Sequence, residues 1–523
     1  MRLLTAVEMR AIEHRAMDAG EVTGLELMER AGRGVVEATF AKWPELAKTP
    51  HRAVILCGPG NNGGDGYVIA RLLRDWGWEV AVFGMGAPQA MPPDAAENRE
   101  RWRQMGTIAP LEEADFEGAD LIVDALFGTG LSRGFAPPDR IGAEFHALFA
   151  DGFWGHGRDL PPRVVAVDIP SGLDADTGRV LAADSPWCGD VAAHLTVTFH
   201  RAKLGHVLAD GPFHCGELAV VDIGLSDDGA GVALARAPDP VRAEPALGKG
   251  SGADHKFYHG HALILSGGIG RTGAARLAAR AALRVGAGLV TLGAPGSAIL
   301  ECAAHSTAVM VRRCDGSEGL SSLLQDKRLN TLCLGPGLGQ GAEVRDLVLA
   351  ALGAGRSVVL DADGLSTFSD APDALLAALH HKVVLTPHGG EFARIFPDIA
   401  ARLNERATDG PAYSRLTAAR DAADRAGCVV LLKGPDTIVA APGGRAVIHA
   451  AAYDRAAPWL ATAGSGDVLA GLITGLMARG FDPFEAAQTG AWLHTEAALA
   501  FGPGLIAEDL PEMLPKVFRD IGL

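Results

Sequence analysis

Gly58-Pro59-Gly60-Asn61-Asn62-Gly63-Gly64-Asp65-Gly66 stands between an apolar run, Ala53–Cys57, and a segment of helical spacing, Tyr67–Trp76. Strand, glycine-rich turn, helix is the opening unit of a doubly wound α/β sheet. Glycines 58, 60 and 63 match G-x-G-x-x-G. Glycine lets backbone N–H groups approach a phosphate at a helix start. A tight turn that only packs strand against helix would read the same way. A nicotinamide dehydrogenase needs an Asp or Glu at the end of the next strand to hold a ribose. That strand, Glu79–Phe83, runs into Gly84-Met85 without one.

Further short apolar runs follow at Leu121–Asp124, Val164–Asp168 and Leu195–Phe199, alternating with helical segments. Such runs suit parallel strands buried on both faces. Between Ser226 and about Lys256 the pattern fails in a stretch rich in Gly, Ala, Pro and Asp, which reads as a linker. A second series begins beyond it: Ala262–Ser266, Leu289–Leu292, Thr331–Gly335, Ser357–Asp361, Val383–Thr386 and Val429–Lys433. The expectation is two three-layer α/β domains, 1–228 and 251–523, joined by a linker at 229–250. Residues Asp151–Pro162 read as a loop of the first domain.

Composition narrows the function classes. The 523 residues are 48% hydrophobic and 21% charged, which excludes a disordered chain. The 67 glycines follow no fixed period, so the chain is not collagen-like. A net charge of −16 argues against a general nucleic-acid binder or a binder of anionic membranes. The seven cysteines form no C-x-x-C pair, and reduced thiols in a cytoplasm are the expectation. Thr5 and Glu8 fit a helix capping box rather than a signal peptide. No apolar stretch reaches the 18 residues that suggest a membrane span.

Chemistry-bearing residues gather at strand ends, where doubly wound sheets bind ligands. Asn62, Asp124 and Ser171 offer oxygen donors suited to a hard cation. Asp168, ending another strand, would face the same cleft as an acid or base. A lone Asp more often caps a helix or forms a turn. The coincidence of these groups at strand ends weighs against that reading. The segments 60–66, Asp124-Ala125-Leu126-Phe127-Gly128-Thr129-Gly130, Asp168-Ile169-Pro170-Ser171-Gly172 and Phe199–His206 resemble the YjeF N-terminal domain, the NAD(P)H-hydrate epimerase, over about residues 1–225. The resemblance implies hydrate contacts from Asn61, Asn62, Gly63, Gly64 and Asp65, and from Gly128, Thr129, Gly130, Leu131, Ser132, Arg133 and Gly134. It also implies Asp168 as the catalytic base, in contact with the hydrate, and potassium (K+) on Asn62, Asp124 and Ser171.

The second half carries Ala463-Gly464-Ser465-Gly466-Asp467-Val468-Leu469-Ala470-Gly471, opening a helix through Ile473 and Met477. Gly464 and Gly466 free the backbone for an anion hole at the helix N-terminus. Asp467 would take a proton from a hydroxyl that attacks a phosphoryl group. A capped helix after a glycine-rich loop is the structural alternative. No Walker A sequence is present, which excludes a P-loop NTPase on motif grounds. Loops at Gly267–Ala274, Gly335–Gly339, Leu385–Glu391 and Lys433–Thr437 lie at other strand ends. Together they resemble the ADP-dependent NAD(P)H-hydrate dehydratase, a ribokinase-like family, over about residues 240–520. The resemblance implies hydrate contacts from Ala274, Gly339, His388 and Asp467. It implies nucleotide contacts from Lys433, Gly434, Pro435, Asp436, Thr437 and Gly466, with Mg2+ accompanying ADP.

Joined, the halves resemble the bifunctional NAD(P)H-hydrate repair enzymes: a Rossmann-like sheet followed by a ribokinase-like one. The implied partners are NAD(P)H hydrates and ADP, together with a second copy of the chain in a homo-oligomer. Neither nucleic acid nor membrane is expected. The alternative is a vitamin or sugar kinase fused to a non-catalytic nucleotide-binding domain.

Overall fold

In the computed structural model, residues 2–86, 91–149, 162–226, 229–235, 238, 246–250 and 255–523 are described. The expected loop at 151–162 lies outside them save its last residue, as does much of the expected linker at 229–250. Two compact units form. One comprises Met1–Ala233 with Glu405–Ser414, the other Leu234–Asn404 with Arg415–Leu523. Among the described residues no helix is long and apolar enough to cross a membrane. All seven cysteines are free.

The first unit opens with helices α1 (Ala6–Asp18) and α2 (Gly24–Lys42). Thr5 caps α1 as its spacing predicts: Glu8 N donates to Thr5 Oγ1 at 3.1 Å, and Thr5 N to Glu8 Oε2 at 2.8 Å. Among the described residues the unit's parallel sheet has seven strands, β1 (Arg52–Cys57), β2 (Glu79–Gly84), β3 (Ile108–Pro110), β4 (Leu121–Ala125), β5 (Arg163–Val167), β6 (Leu195–Phe199) and β7 (Glu217–Val221). Their order is β3-β2-β1-β4-β5-β6-β7 and every pairing is parallel. The order reverses between β1 and β4, so their carboxyl ends open a crevice there. Helix α3 (Asn61–Asp75) starts inside the glycine-rich turn, six residues before the expected Tyr67. The glycines are required by close approach. A Cβ on Gly58 would lie 1.7 Å from Leu126 O, and one on Gly63 2.0 Å from Gly58 O.

A strap from late in the chain completes this unit. Gly134 N donates to Thr408 O at 2.9 Å, Ala182 N to Ala407 O at 2.6 Å and Gly410 N to Ser132 O at 3.1 Å. Asp174 Oδ2 accepts from Ala412 N at 2.7 Å, and Arg179 donates to the carbonyls of Tyr413 and Glu405. The domain bounds read from the sequence place 405–414 in the second domain, whereas these residues belong to the first unit.

The second unit contains β8 (His261–Leu265), β9 (Leu289–Ala294), β10 (Met310–Arg313), β11 (Thr331–Leu334), β12 (Ser357–Leu360), β13 (Val383–Leu385), β14 (Val429–Leu432), β15 (Asp436–Ala440) and β16 (Ala446–Ala450). They lie in the order β16-β15-β14-β13-β12-β11-β8-β9-β10. Pairings are parallel except β14–β15 and β15–β16, which are antiparallel. Helix α4 (Gly273–Arg284) follows β8 and packs against α5 (Ser465–Ala478), whose residues Val468–Ala478 are all buried. The crossing is close because α5 lacks side chains there. A Cβ on Gly471 would stand 2.2 Å from Ala278 O, and one on Gly475 2.4 Å from Val285 Cγ1. Helix α6 (Pro483–Phe501) then packs on α5.

Two candidate active sites

In the first unit the sequence-picked residues meet at the carboxyl ends of β1, β4 and β5. Asn61–Asp65 form the first turn of α3, with its N–H groups at the crevice. The loop 128–134 follows β4, and its Thr129 N donates to Asp168 Oδ2 at 3.1 Å. A Cβ on Gly128 would press on Asn62 Oδ1 at 2.8 Å and stand 3.1 Å from Asp168 Oδ2, so all three residues share one spot.

Asp168 sits one residue past β5 with φ 67, a backbone conformation costly outside glycine. Two further residues, His206 and Lys203, hold it there. His206 Nδ1 accepts from Lys203 N at 2.8 Å, which leaves Nε2 to donate to Asp168 O at 2.7 Å. That fixes the neutral tautomer, and burial keeps the ring neutral by lowering its pKa to about 4. Lys203 is 1% exposed. Its Nζ donates to Asp168 Oδ1 at 3.1 Å, Thr198 Oγ1 at 2.8 Å and Phe199 O at 3.2 Å. Burial alone would raise the Asp168 carboxyl. The Lys203 ammonium and the Thr129 N–H reverse that and bring it to about 2. Asp65 moves the other way: burial, with Asp168 and Glu13 nearby, holds it well above the usual carboxylate range.

Asp124 is fully buried. Its Oδ1 accepts from Ser171 Oγ at 2.6 Å and its Oδ2 from Ser171 N at 2.8 Å, while Ser171 Oγ lies 3.3 Å from Phe127 O. Burial raises the Asp124 carboxyl to about 6 despite those bonds. Asn62 Nδ2 is shut away from solvent without a hydrogen-bond partner. A hydroxyl, a carbonyl and a carboxyl short of positive charge fit a hard monovalent cation; the orphan Asn62 Nδ2 is a donor, so Asn62 would join that set through its Oδ1 and leave its N–H to an acceptor on a ligand.

In the second unit the picked residues line the ends of β8, β11, β13, β14 and the start of α5. Ala274 lies in the first turn of α4. A Cβ on Gly337 would touch its methyl at 3.6 Å, so the loops after β8 and β11 adjoin. Gly339 N donates to Asp363 Oδ2 at 2.8 Å. His388 caps the helix Gly389–Ile395, accepting from Gly390 N at 2.9 Å, and its side chain remains exposed. Lys433 follows β14 and reaches inward to Asp361 Oδ1 at 2.7 Å. Asp436 and Thr437, expected in a loop, belong to strand β15. Asp436 pairs with Arg415 at 2.9 Å, and Thr437 Oγ1 donates to Gly434 O at 2.7 Å. A Cβ on Gly466 would stand 3.5 Å from Lys433 Nζ, which puts the ammonium under the turn that starts α5. Gly464 takes φ 89 to begin that turn. Burial first, then Asp361, raises the Asp467 carboxyl to about 6 against the pull of Lys433.

Sequence reasoning missed Asp361, Thr386 and Glu391 here. Asp361 carried the same signal as Asp124 and Asp168, an acid closing an apolar run. A groove lined by Pro458, Trp459, Thr462, Leu505 and Ile506 opens beside the turn, with Trp459 half exposed.

A family model described as YjeF-related protein N-terminus matches residues 24–205, and one described as NAD(P)H-hydrate dehydratase matches 262–516. The chain is 35% identical over its full length to a bifunctional NAD(P)H-hydrate repair enzyme of Moorella thermoacetica, covering 97% of that protein. It is 33% identical to one of Coxiella burnetii across 96% of each chain. Over 39% of its length it is 48% identical to an NAD(P)H-hydrate epimerase of Rhodobacter capsulatus, covering 91% of that protein.

Proposed function

Since the chain belongs to the bifunctional NAD(P)H-hydrate repair enzymes, we propose a residue-level division of labour between its two units. The enzyme interconverts the R and S hydrates of NAD(P)H and dehydrates the S form at the expense of ADP, giving NAD(P)H, AMP and phosphate. What carries this reading is an end-to-end match to relatives that join both activities on one chain. The fused-kinase alternative is not favoured, because it leaves the first unit without a task.

Epimerisation belongs to the first unit and to the residues of the expected domain 1–228. The hydrate lies against the N–H groups of Asn61–Asp65 and the loop Gly128–Gly134. Inverting the hydroxyl-bearing carbon requires its C–O bond to break and reform, which leaves positive charge on the ring. Asp168, ionised and aimed by Lys203 and Thr198, stabilises that charge. A carboxyl held at about 2 is a weak proton acceptor at neutral pH, so its contribution is charge rather than basicity. Asp65, whose carboxyl burial holds well above the usual carboxylate range, gives the proton that lets hydroxide leave as water. Asn62, Asp124 and Ser171 would hold potassium, which supplies the positive charge that keeps Asp124 ionised.

Dehydration belongs to the second unit, within the expected domain 251–523. Asp467 takes the proton of the added hydroxyl, whose oxygen attacks the terminal phosphoryl of ADP. The P–O bond to AMP breaks. The ring nitrogen then expels phosphate, and loss of the neighbouring C–H proton restores the double bond. Lys433 and the N–H groups at Gly466 meet the phosphoryl charge. Ala274, Gly339 and His388 border the hydrate, and Gly434–Thr437 border the nucleotide. Among the described residues no group of three His, Cys, Asp or Glu is placed to hold a metal. Magnesium accompanying ADP would therefore rest mainly on phosphate oxygens, water and one or two carboxylates, its usual preference. The chain works without nucleic acid or membrane, in the cytoplasm and as a homo-oligomer.

The test is incubation of the full chain with mixed hydrates, with and without ADP or ATP. Nicotinamide absorbance and the R-to-S ratio are followed together. Full return of absorbance with ADP, and bare interconversion without it, is the expected result. A stable phosphoester of an added vitamin or sugar, with no absorbance gained, would overturn the reading.

A further inference from the structure

Asp361 directly follows β12 and is 1% exposed. Its Oδ1 accepts from Lys433 Nζ at 2.7 Å and from Thr386 Oγ1 at 2.9 Å. Its Oδ2 faces the start of α5, where a Cβ on Gly466 would stand 4.0 Å away. On its other side Lys433 Nζ lies 3.9 Å from Glu391 Oε2. The backbone around Asp361 is tightly determined. Gly335 at the end of β11 comes so close that a Cβ would sit 1.7 Å from Asp361 O. Ala362, the next residue, takes φ 45. Strain of that kind persists where the surroundings impose it, and it gathers at functional sites.

A buried ion pair is weak evidence of stability, since apolar residues of like volume often do as well. This pair also aims a flexible four-carbon side chain at one point beneath an anion hole. Lysine is a point charge on a mobile stem, and fixing it before the reaction is what counts in phosphoryl transfer.

We propose that Asp361 is a positioning residue of the dehydratase site, holding Lys433 Nζ beneath the Gly464–Asp467 turn and standing as the negative charge behind Asp467. The proposal rests on the reading of the second unit as the dehydratase. The charge Asp467 feels comes from several elements: Asp361 and Asp363 after β12, Lys433 after β14, and Glu391 through Lys433. Cys333 on β11 and His494 on α6 face the same space and are neutral, the thiol pushed up to about 12 and the ring down to about 4, both by burial first. Removing the Asp361 charge leaves Lys433 less opposed, so Asp467 loses its proton at a lower pH.

The experiment is D361N in the full chain, assayed with S-hydrate and ADP across pH 5–8. Expected is a kcat loss of about 100-fold with less than about fivefold change in the KM for ADP, the pattern of a group misplaced in the transition state. The acid limb of kcat moves below its parental position, which a merely structural role would not do. In a double-mutant cycle, D361N adds little to the loss already caused by K433Q. T386V keeps both charges and removes one of the two hydrogen bonds to Asp361 Oδ1; it lowers kcat by about fivefold and leaves the limb in place. This second variant serves if D361N does not fold, and the denaturant midpoint of the second unit reports that each variant is intact. Parental kcat and an unmoved limb in D361N, or full additivity with K433Q, would overturn the proposal. A parental enzyme inactive on S-hydrate with ADP overturns the dehydratase reading instead, and the inference falls with it.

Discussion

Two carboxyls, buried Asp168 and half-buried Asp467, are tuned in opposite directions, and the proposed mechanism divides the work between their charges. Asp467 needs to be ionised to accept a proton, and burial holds it at about 6. Dehydratase kcat should therefore rise through about pH 6 to a plateau above it, measurable as a pH–rate profile. Asp467→Asn should cut dehydration by about 100- to 10,000-fold while the R-to-S exchange proceeds at the parental rate. The same variant should be more stable. A carboxyl whose folded pKa is raised gives up its proton first in the unfolded chain, so stability falls as pH rises from about 4 through about 6. Removing that carboxyl should return about 1–2 kcal/mol at pH 7, read from the denaturant midpoint of the second unit. For Asp168 the sign is reversed. Its pKa is depressed, so the stability it contributes is present above the ordinary carboxylate value of about 4 and vanishes as pH falls through about 2. Lys203→Met should cost the first unit about 3–5 kcal/mol at neutral pH, because it strands a buried charge. The acids Asp124 and Asp168 were legible because each closes an apolar run. Asp361 closes such a run as well, but Lys203 acquires meaning only from Asp168, and Lys433 reaches Asp361 across 72 residues of chain. No local spacing encodes such a pair.

At the scale of elements, glycine misled in one place and informed in another. The cluster at 58–66 reads as a breaker, yet α3 begins at Asn61, because the turn between β1 and α3 leaves no room for a Cβ. Continuous apolar strands in the middle of each sheet were plain from the sequence. Those missed are β3 and β7 on the edges of the first sheet, β10 on an edge of the second, and the antiparallel β15 and β16. Edge strands bury fewer side chains, and their pattern fades accordingly: β10 is buried at none of its positions. The contact of α4 with α5 carries its own prediction. Gly471→Ala would drive a methyl into Ala278 O, separating the helices at a cost of roughly 1–3 kcal/mol. Since α5 also carries Asp467, a calorimetric loss in the second unit should come with a lower dehydratase kcat, epimerase activity being unaltered.

Across the whole molecule, the two α/β series could be read directly, and the strap at 405–414 could not. Its bonds are made by backbone groups, which any sequence supplies, and its partners sit in another part of the chain. Arg179 is its main side-chain clamp. Arg179→Ala should weaken its docking by about 1.5–3 kcal/mol, as expected for hydrogen bonds from a charged group. The Gly134 and Ala182 amides, which donate to the strap, should then exchange with deuterium about 10- to 100-fold faster. The KM for hydrate should rise in the epimerase alone, since Leu131–Gly134 is the stretch being braced.

That strap also bears on the ancestry and engineering of such fusions. A gene cut at the linker would encode a leading fragment whose amides at Gly134 and Ala182 lose their acceptors. The trailing fragment would keep a ribbon made for a surface it no longer owns. A free-standing version of the leading part must invent its own cover for that edge, so fission here demands compensating change, and a domain-swap library joined at the linker should be enriched in clones that import both pieces together.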